Sequence, residues 1–143
     1  MMRNLMAAAC GAVLALLYVA PAPASSPLVG SWSTTIDWEN RKAGLYIILA
    51  ITADGRIRER VSNHAGMAYA LAGTYRMDAA GQTMRFTWTD YSPKAICVGG
   101  NCTRMGPPEP LGVAHTSRIR FGNPNFFIGT TDDGTSTKWI RMH

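Results

Sequence analysis

The sequence predicts an all-β domain, a small antiparallel up-and-down barrel of about eight strands, following a cleaved leader. Three observations predict it. Short runs of alternating or branched apolar residues recur from Leu28 to the end of the chain. Turn signals separate them at hairpin spacing, among them Asp54-Gly55, Ala80-Gly81, Gly122-Asn123-Pro124 and Asp132-Asp133-Gly134. No stretch behind the leader carries an apolar period of 3.6 over the length of a helix. Closure into a barrel is the economical arrangement for such strands, because it leaves no exposed edge.

The leader comes first. Arg3 gives a basic start, Ala7 to Ala20 is uncharged and apolar, and Ala22-Pro23-Ala24 is an A-x-A cleavage site. This is the pattern of a secretory signal peptide, residues 1–24, and the run is too short to span a membrane. The expected mature domain, 25–143, is therefore periplasmic or secreted. Cys10 lies too early in the apolar run to serve as a lipoprotein cysteine. Without Arg3, 13 basic side chains face 9 acidic ones, a formal charge of +4. The arginines are scattered, so no nucleic-acid partner is expected. Two cysteines remain, Cys97 and Cys102, around a Gly-Gly turn (C-V-G-G-N-C). In an oxidising compartment they read as a local disulfide, worth about 2–3 kcal/mol at most for so short a loop. No further ligands lie near enough in sequence for a zinc site, and the spacing is not the C-x-x-C of redox pairs.

The elements follow in order. Leu28 to Ile36 forms the first strand, and the polar Asp37 to Ala43 a loop or lid. Leu45 to Thr52 is rich in branched residues and too short for a buried helix. The Asp54-Gly55 hairpin returns through Arg56 to Asn63. Met67 to Met77 forms the fourth strand, and Thr83 to Tyr91 alternates cleanly as the fifth. Ser92 to Gly112 is irregular and rich in proline. His115 to Phe121, Asn125 to Thr131 and Thr135 to Met142 complete the set. Alternation places Met84, Phe86, Trp88 and Asp90 on one face, with Ile57, Glu59 and Val61 on the equivalent face of the third strand. Arg56, Arg58, Arg60, Arg85, Arg118 and Arg120 fall on the opposite face, which is either a solvated exterior or a basic docking surface.

Against this background the chain resembles the calycin superfamily, in particular small bacterial lipocalin-like domains. Gly30-Ser31-Trp32 stands at the start of the first strand, Leu71-Ala72-Gly73-Thr74-Tyr75 is similar to the G-x-Y strand of these short barrels, and Arg141 lies on the last strand. The resemblance covers about residues 27–142. It implies that Gly30, Trp32 and Arg141 are structural, with the guanidinium stacked on the indole at the closed end. Such a cation–π contact contributes roughly 1–2 kcal/mol.

Candidate chemistry sits on the apolar-facing side. Glu59 there either anchors a ligand amine or hydroxyl, or is turned outward by a register break. Tyr69, Tyr75, Trp88 and Asp90 line the same interior with Phe86, as core or as ligand platform. His64, His115 and His143 share no metal-ligand spacing. Haem-binding barrels of related shape use a histidine, which places His115 or His143 as the only such candidates. No nucleophile elbow or H-E-x-x-H occurs, and Asp132-Asp133 is explained by its turn. No catalytic residue, metal or cofactor is expected. Lys94 to Pro110 either gates the barrel mouth, meets a protein partner, or is a rigid connection.

Two functions follow from different classes. The first is a non-catalytic barrel binding a small apolar or amphipathic molecule. The second is a protein-interaction module, such as a periplasmic protease inhibitor, that meets an envelope protein through the proline-rich loop or the segment Ser25 to Val29. An open cavity favours the first and a filled barrel the second. No stable membrane insertion is expected.

Overall fold

The computed structural model describes residues 26–36, 44–63, 66 and 68–143. The leader, the expected loop 37–43 and His64 lie outside the described residues. The chain forms ten strands in sequence order: β1 (Gly30–Ile36), β2 (Leu45–Ile51), β3 (Arg56–Asn63), β4 (Ala68–Met77), β5 (Thr83–Ser92), β6 (Ala95–Val98), β7 (Asn101–Arg104), β8 (Ala114–Asn123), β9 (Phe126–Thr131) and β10 (Ser136–Arg141). Eight of them close an antiparallel barrel in the order β1-β10-β9-β8-β5-β4-β3-β2. All neighbours are consecutive barrel strands, so the topology is up-and-down, as the hairpin spacing predicts.

Two ends follow from this order. The turns at 52–55, 78–82 and 124–125 gather with the N-terminal segment at one end, and the turn at 132–135 lies at the other with the 93–113 connection. The first end is sealed. Trp32 is fully buried, with Phe127 edge-on at 4.7 Å and Phe121 at 6.2 Å, and Leu28 is buried beside them. The single indole N–H donates to the Leu28 carbonyl at 2.9 Å, so the ring carries no unsatisfied polar group into the core. Arg141 caps the plug, its guanidinium 4.1 Å from the indole centroid. It donates to the carbonyls of Val29, Pro27 and Pro124 at 3.2, 2.7 and 2.9 Å. Gly30 has φ +147°, and a Cβ there would meet Arg141 Nη1 at 2.6 Å. The three residues singled out by the resemblance thus form one structural unit.

The other end is open. Only two residue pairs, Trp32↔Arg141 and Ser33↔Ile140, zip β1 to β10, and both lie near the sealed end. Likewise β5 pairs with β8 only over Thr83 to Thr87. Beyond that point the 105–113 connection takes over: Gly112 N–H donates to the Trp88 carbonyl at 2.8 Å, and the Tyr91 hydroxyl to the Met105 carbonyl at 2.8 Å.

The stretch 92–112 is more ordered than its composition suggests. It contains the β6–β7 hairpin, with Cys97 directly opposite Cys102 and disulfide-bonded to it. All eight of its residues are exposed, so no buried face announced it in the sequence. The other correction is in β5. Ala72 pairs with Asp90 but Gly73 pairs with Trp88, which leaves Thr89 as the extra residue of a β-bulge. Past the bulge the alternation inverts. Tyr91 turns inward opposite the buried Leu71, and Asp90 turns out. Gly73 permits the bulge, since a Cβ there would lie 2.1 Å from the Thr87 carbonyl oxygen.

Candidate functional site

Inside the open half of the barrel lies a cavity of about 210 Å³. Its walls are mostly apolar: Ile47, Leu49, Ile57, Met84, Ile119 and Phe127, with the aromatic rings of Phe86, Trp88 and Trp139. Inward-facing positions of consecutive strands supply these side chains, which is why period-two reading finds most of them. Phe86 and Trp88 meet edge-to-face at 5.3 Å. The polar groups are few: Glu59, Ser117, Thr131 and Thr137. Above the cavity a wider mouth of about 420 Å³ shares Glu59, Phe86, Trp88 and Thr131 with it and adds Glu109, His115, Thr116, Asp132 and Asp133.

Glu59 stands at the junction of the two spaces. Its neighbours along β3, Ile57 and Val61, are both buried, so alternation without a register break holds its side chain inward. Burial raises its carboxyl to a pKa of about 7, and the nearby Glu109 carboxylate pushes in the same direction. Among the described residues no donor or cation reaches it. Tyr69 is also raised, first by burial and then by the charges of Glu59 and Glu109, which places its phenol in the same neighbourhood. His115 lies flat on Phe86, with ring centroids 5.3 Å apart, and its Nε2 is buried with no hydrogen-bond partner.

The six ligand-contact residues expected from sequence divide. Glu59, Phe86 and Trp88 line the cavity together. Tyr69 lies in an adjoining apolar cleft of about 250 Å³ between the barrel and the hairpin, with Tyr91, Pro93, Ile96, Met105 and Pro108. Tyr75 does not reach the cavity. It faces inward nearer the sealed end, where its hydroxyl donates to the Thr52 carbonyl at 2.8 Å and secures the β2–β3 turn. Asp90 is outside the barrel, paired with Lys94 at 2.6 Å, because the bulge at Thr89 inverts the face. The pair sits beside Tyr91, over whose ring the Lys94 ammonium lies at 3.5 Å, and the Lys94 contacts hold the Asp90 carboxyl below its ordinary range.

Sequence reasoning missed Glu109 as a site residue, since it lies in a proline-rich stretch without periodicity. It also missed Ser117, Thr131, Thr137 and Trp139. For Ser117 the signal was present, on the same face as Ile119 and Phe121. Among the described residues no three of His, Cys, Asp or Glu converge as a metal site. The exterior arginines are exposed as alternation predicts, and Arg56 pairs with Asp54 at 3.1 Å. Compared with protein-family models, curated proteins and solved structures, the chain matches none.

Proposed function

We propose that this protein is an exported, lipocalin-like barrel of the calycin type that binds a small apolar or amphipathic molecule in its open half, without catalysis. The observation that carries this reading is the 210 Å³ cavity, walled by apolar and aromatic side chains and continuous with the mouth at Glu59. A few polar groups at one end of an apolar hollow is the usual build of a small-molecule site. The volume suits a compact molecule of one ring or a short chain, smaller than the ligands of 300–1,000 Å³ pockets. The Trp32–Arg141 plug and the eight-strand topology support the calycin assignment. The Cys97–Cys102 disulfide supports export to a periplasmic or extracellular space, in agreement with the leader.

Native mass spectrometry tests the proposal on the full-length gene product, expressed with its own leader and recovered from the envelope or medium. The expected species begins near residue 25, lacks two hydrogens, and carries a small molecule released by solvent extraction. Quenching of Trp88 and Trp139 fluorescence by a compact apolar probe provides the second readout. Loss of that quenching in Trp88→Ala supports the site. A bare mass with no probe binding overturns the ligand reading.

One observation favours a second reading, a protein-interaction module. The β6–β7 hairpin presents Val98 at 75% and Ile96 at 41% exposure, and the connection before β8 presents Val113 at 48%. Exposed apolar side chains on a disulfide-pinned protrusion are what a protein partner would cover. Loss of function on deletion of Gly106 to Pro110, with Trp88→Ala silent, would favour it.

A further inference from the structure

We propose that the cavity selects an amphipathic amine, with its protonated head between Glu59 and Glu109 and its apolar part in the barrel. The inference rests on the ligand-site reading above and names the chemical class of its ligand.

The sign of the charge at the mouth is the first argument. The whole chain is basic, +5 overall. Yet Glu59, Glu109, Asp132 and Asp133 line the mouth, and no lysine or arginine lines it or the cavity among the described residues. The positive groups are turned away. Arg58 and Arg60 flank Glu59 on its own strand and are exposed outside, as are Arg118 and Arg120 on β8. Lys94 is occupied by Asp90. An anionic ligand would enter against four carboxylates with no counter-charge, whereas a cation meets a focused negative field.

The state of Glu59 is the second argument. A carboxylate at the throat of an apolar cavity is costly unless something pairs with it. Among the described residues nothing does, and the Glu109 carboxylate repels it. A cationic head placed there removes both penalties, and no ammonium or guanidinium of the described residues is available to do so. A bare metal ion fits less well, because no three of the acidic and imidazole groups converge on one point. The apolar walls below Glu59 then require an organic tail on the same molecule.

Linkage gives the pairing a pH signature. Glu59 holds its proton to about pH 7, and a cation binds only its ionised form. Amine affinity should therefore rise about tenfold from pH 6 to pH 8 and then level off. The titratable groups facing Glu59 are Tyr69 on β4, Glu109 on the connection, His115 on β8 and Asp132 and Asp133 in the β9–β10 turn.

Three probes that share one tail provide the test: 2-phenylethylamine, 2-phenylethanol and phenylacetate. Binding to the intact disulfide-bonded protein is followed by calorimetry and tryptophan fluorescence at pH 6, 7 and 8. The expected order is amine at least tenfold tighter than alcohol, and phenylacetate weakest. Glu59→Gln should bring the amine-to-alcohol ratio close to one and remove the pH dependence of amine binding. Glu109→Gln should lower the ratio partway. Circular dichroism of each variant confirms the fold. Alcohol and amine of equal affinity in the wild type would overturn the amine inference and leave the ligand site standing. Preference for phenylacetate would overturn it outright. Failure of all three probes would overturn both readings.

Discussion

Glu59→Gln should make the protein more stable in alkali and leave it unchanged in mild acid. The carboxyl is raised from its ordinary value of 4.5 to about 7, first by burial and then by Glu109. A group that binds its proton more tightly when folded contributes stability that is fully present below its unfolded pKa. That contribution is lost as pH rises through the folded pKa. Each tenfold change in proton affinity corresponds to about 1.4 kcal/mol, so ionising Glu59 in place costs the fold about 3 kcal/mol in full. Water in the open mouth trims this, and about 2 kcal/mol is expected between pH 4 and pH 8.5. Asp54, Asp78, Asp90 and Asp133 run the other way. Hydrogen bonds from Thr52, from the Thr83 and Gln82 backbone, from Lys94 and from Thr131 lower them, so their contribution is lost only as pH falls below the ordinary 3.8. The two windows do not overlap. Glutamine keeps the shape of the protonated acid and cannot ionise. Urea unfolding followed by tryptophan fluorescence should therefore give equal stabilities at pH 4 and a variant ahead by about 2 kcal/mol at pH 8.5, or roughly 8 °C in Tm. Parallel pH profiles for the two proteins, or a variant weaker at both pH values, would refute the placement of a buried, unpaired carboxylate at the throat.

Three further perturbations address the frame. Arg141→Ala removes the indole stack and leaves the carbonyls of Pro27, Val29 and Pro124 without their donor, so a loss of about 3 kcal/mol is expected by calorimetry. Arg141→Lys should recover only part of it, because one ammonium cannot span three carbonyls and a ring. Gly73→Ala drives a methyl to 2.1 Å from the Thr87 oxygen, and the β4–β5 pairing must shift to admit it. A loss of about 3 kcal/mol or more is expected, with a drop in soluble yield. Reduction of Cys97–Cys102 should cost at most about 2–3 kcal/mol and leave probe quenching in the barrel intact, because the bridge closes a short loop in an exposed hairpin.

Most of the frame was legible because one rule, alternation, governs strands with a buried face. All eight barrel strands were expected within two or three residues of where they stand, the first beginning at Gly30 rather than Leu28. The β6–β7 hairpin escaped because both its faces meet water, and alternation then has nothing to report. At the site the same rule worked as far as Trp88 and failed two residues later. Thr89 is an extra residue, and one insertion inverts every side chain beyond it. That is why Asp90 stands outside and Tyr91, unremarked in the sequence, turns in. Gly73 carries the trace of the bulge, but alternation alone gives a glycine no meaning. Its need for close backbone approach becomes visible when β5 is laid beside β4.

The bulge also bears on what the barrel can bind. Had β5 continued in register, Asp90 would have joined Glu59 inside and Tyr91 would have faced water. Two inward carboxylates, on β3 and β5 with β4 between them, would have made a strongly polar throat. Instead the inverted face turns Tyr91 inward, where its hydroxyl reaches the Met105 carbonyl and fastens the proline-rich connection beside the mouth. Gly112 bonds the Trp88 carbonyl just before the bulge, which secures the other end of that connection. Between these two anchors lies Glu109, close enough to Glu59 to raise its pKa. The second carboxylate of the site thus comes from a loop held at both ends by the bulged strand. Reaching that loop through Tyr91→Phe should loosen Glu109, lower the Glu59 pKa and weaken amine selectivity while leaving the plug at the sealed end untouched. The pH midpoint of amine binding, compared between Tyr91→Phe and wild type, measures the effect. A midpoint that stays in place would show that the Tyr91 anchor does not govern the mouth.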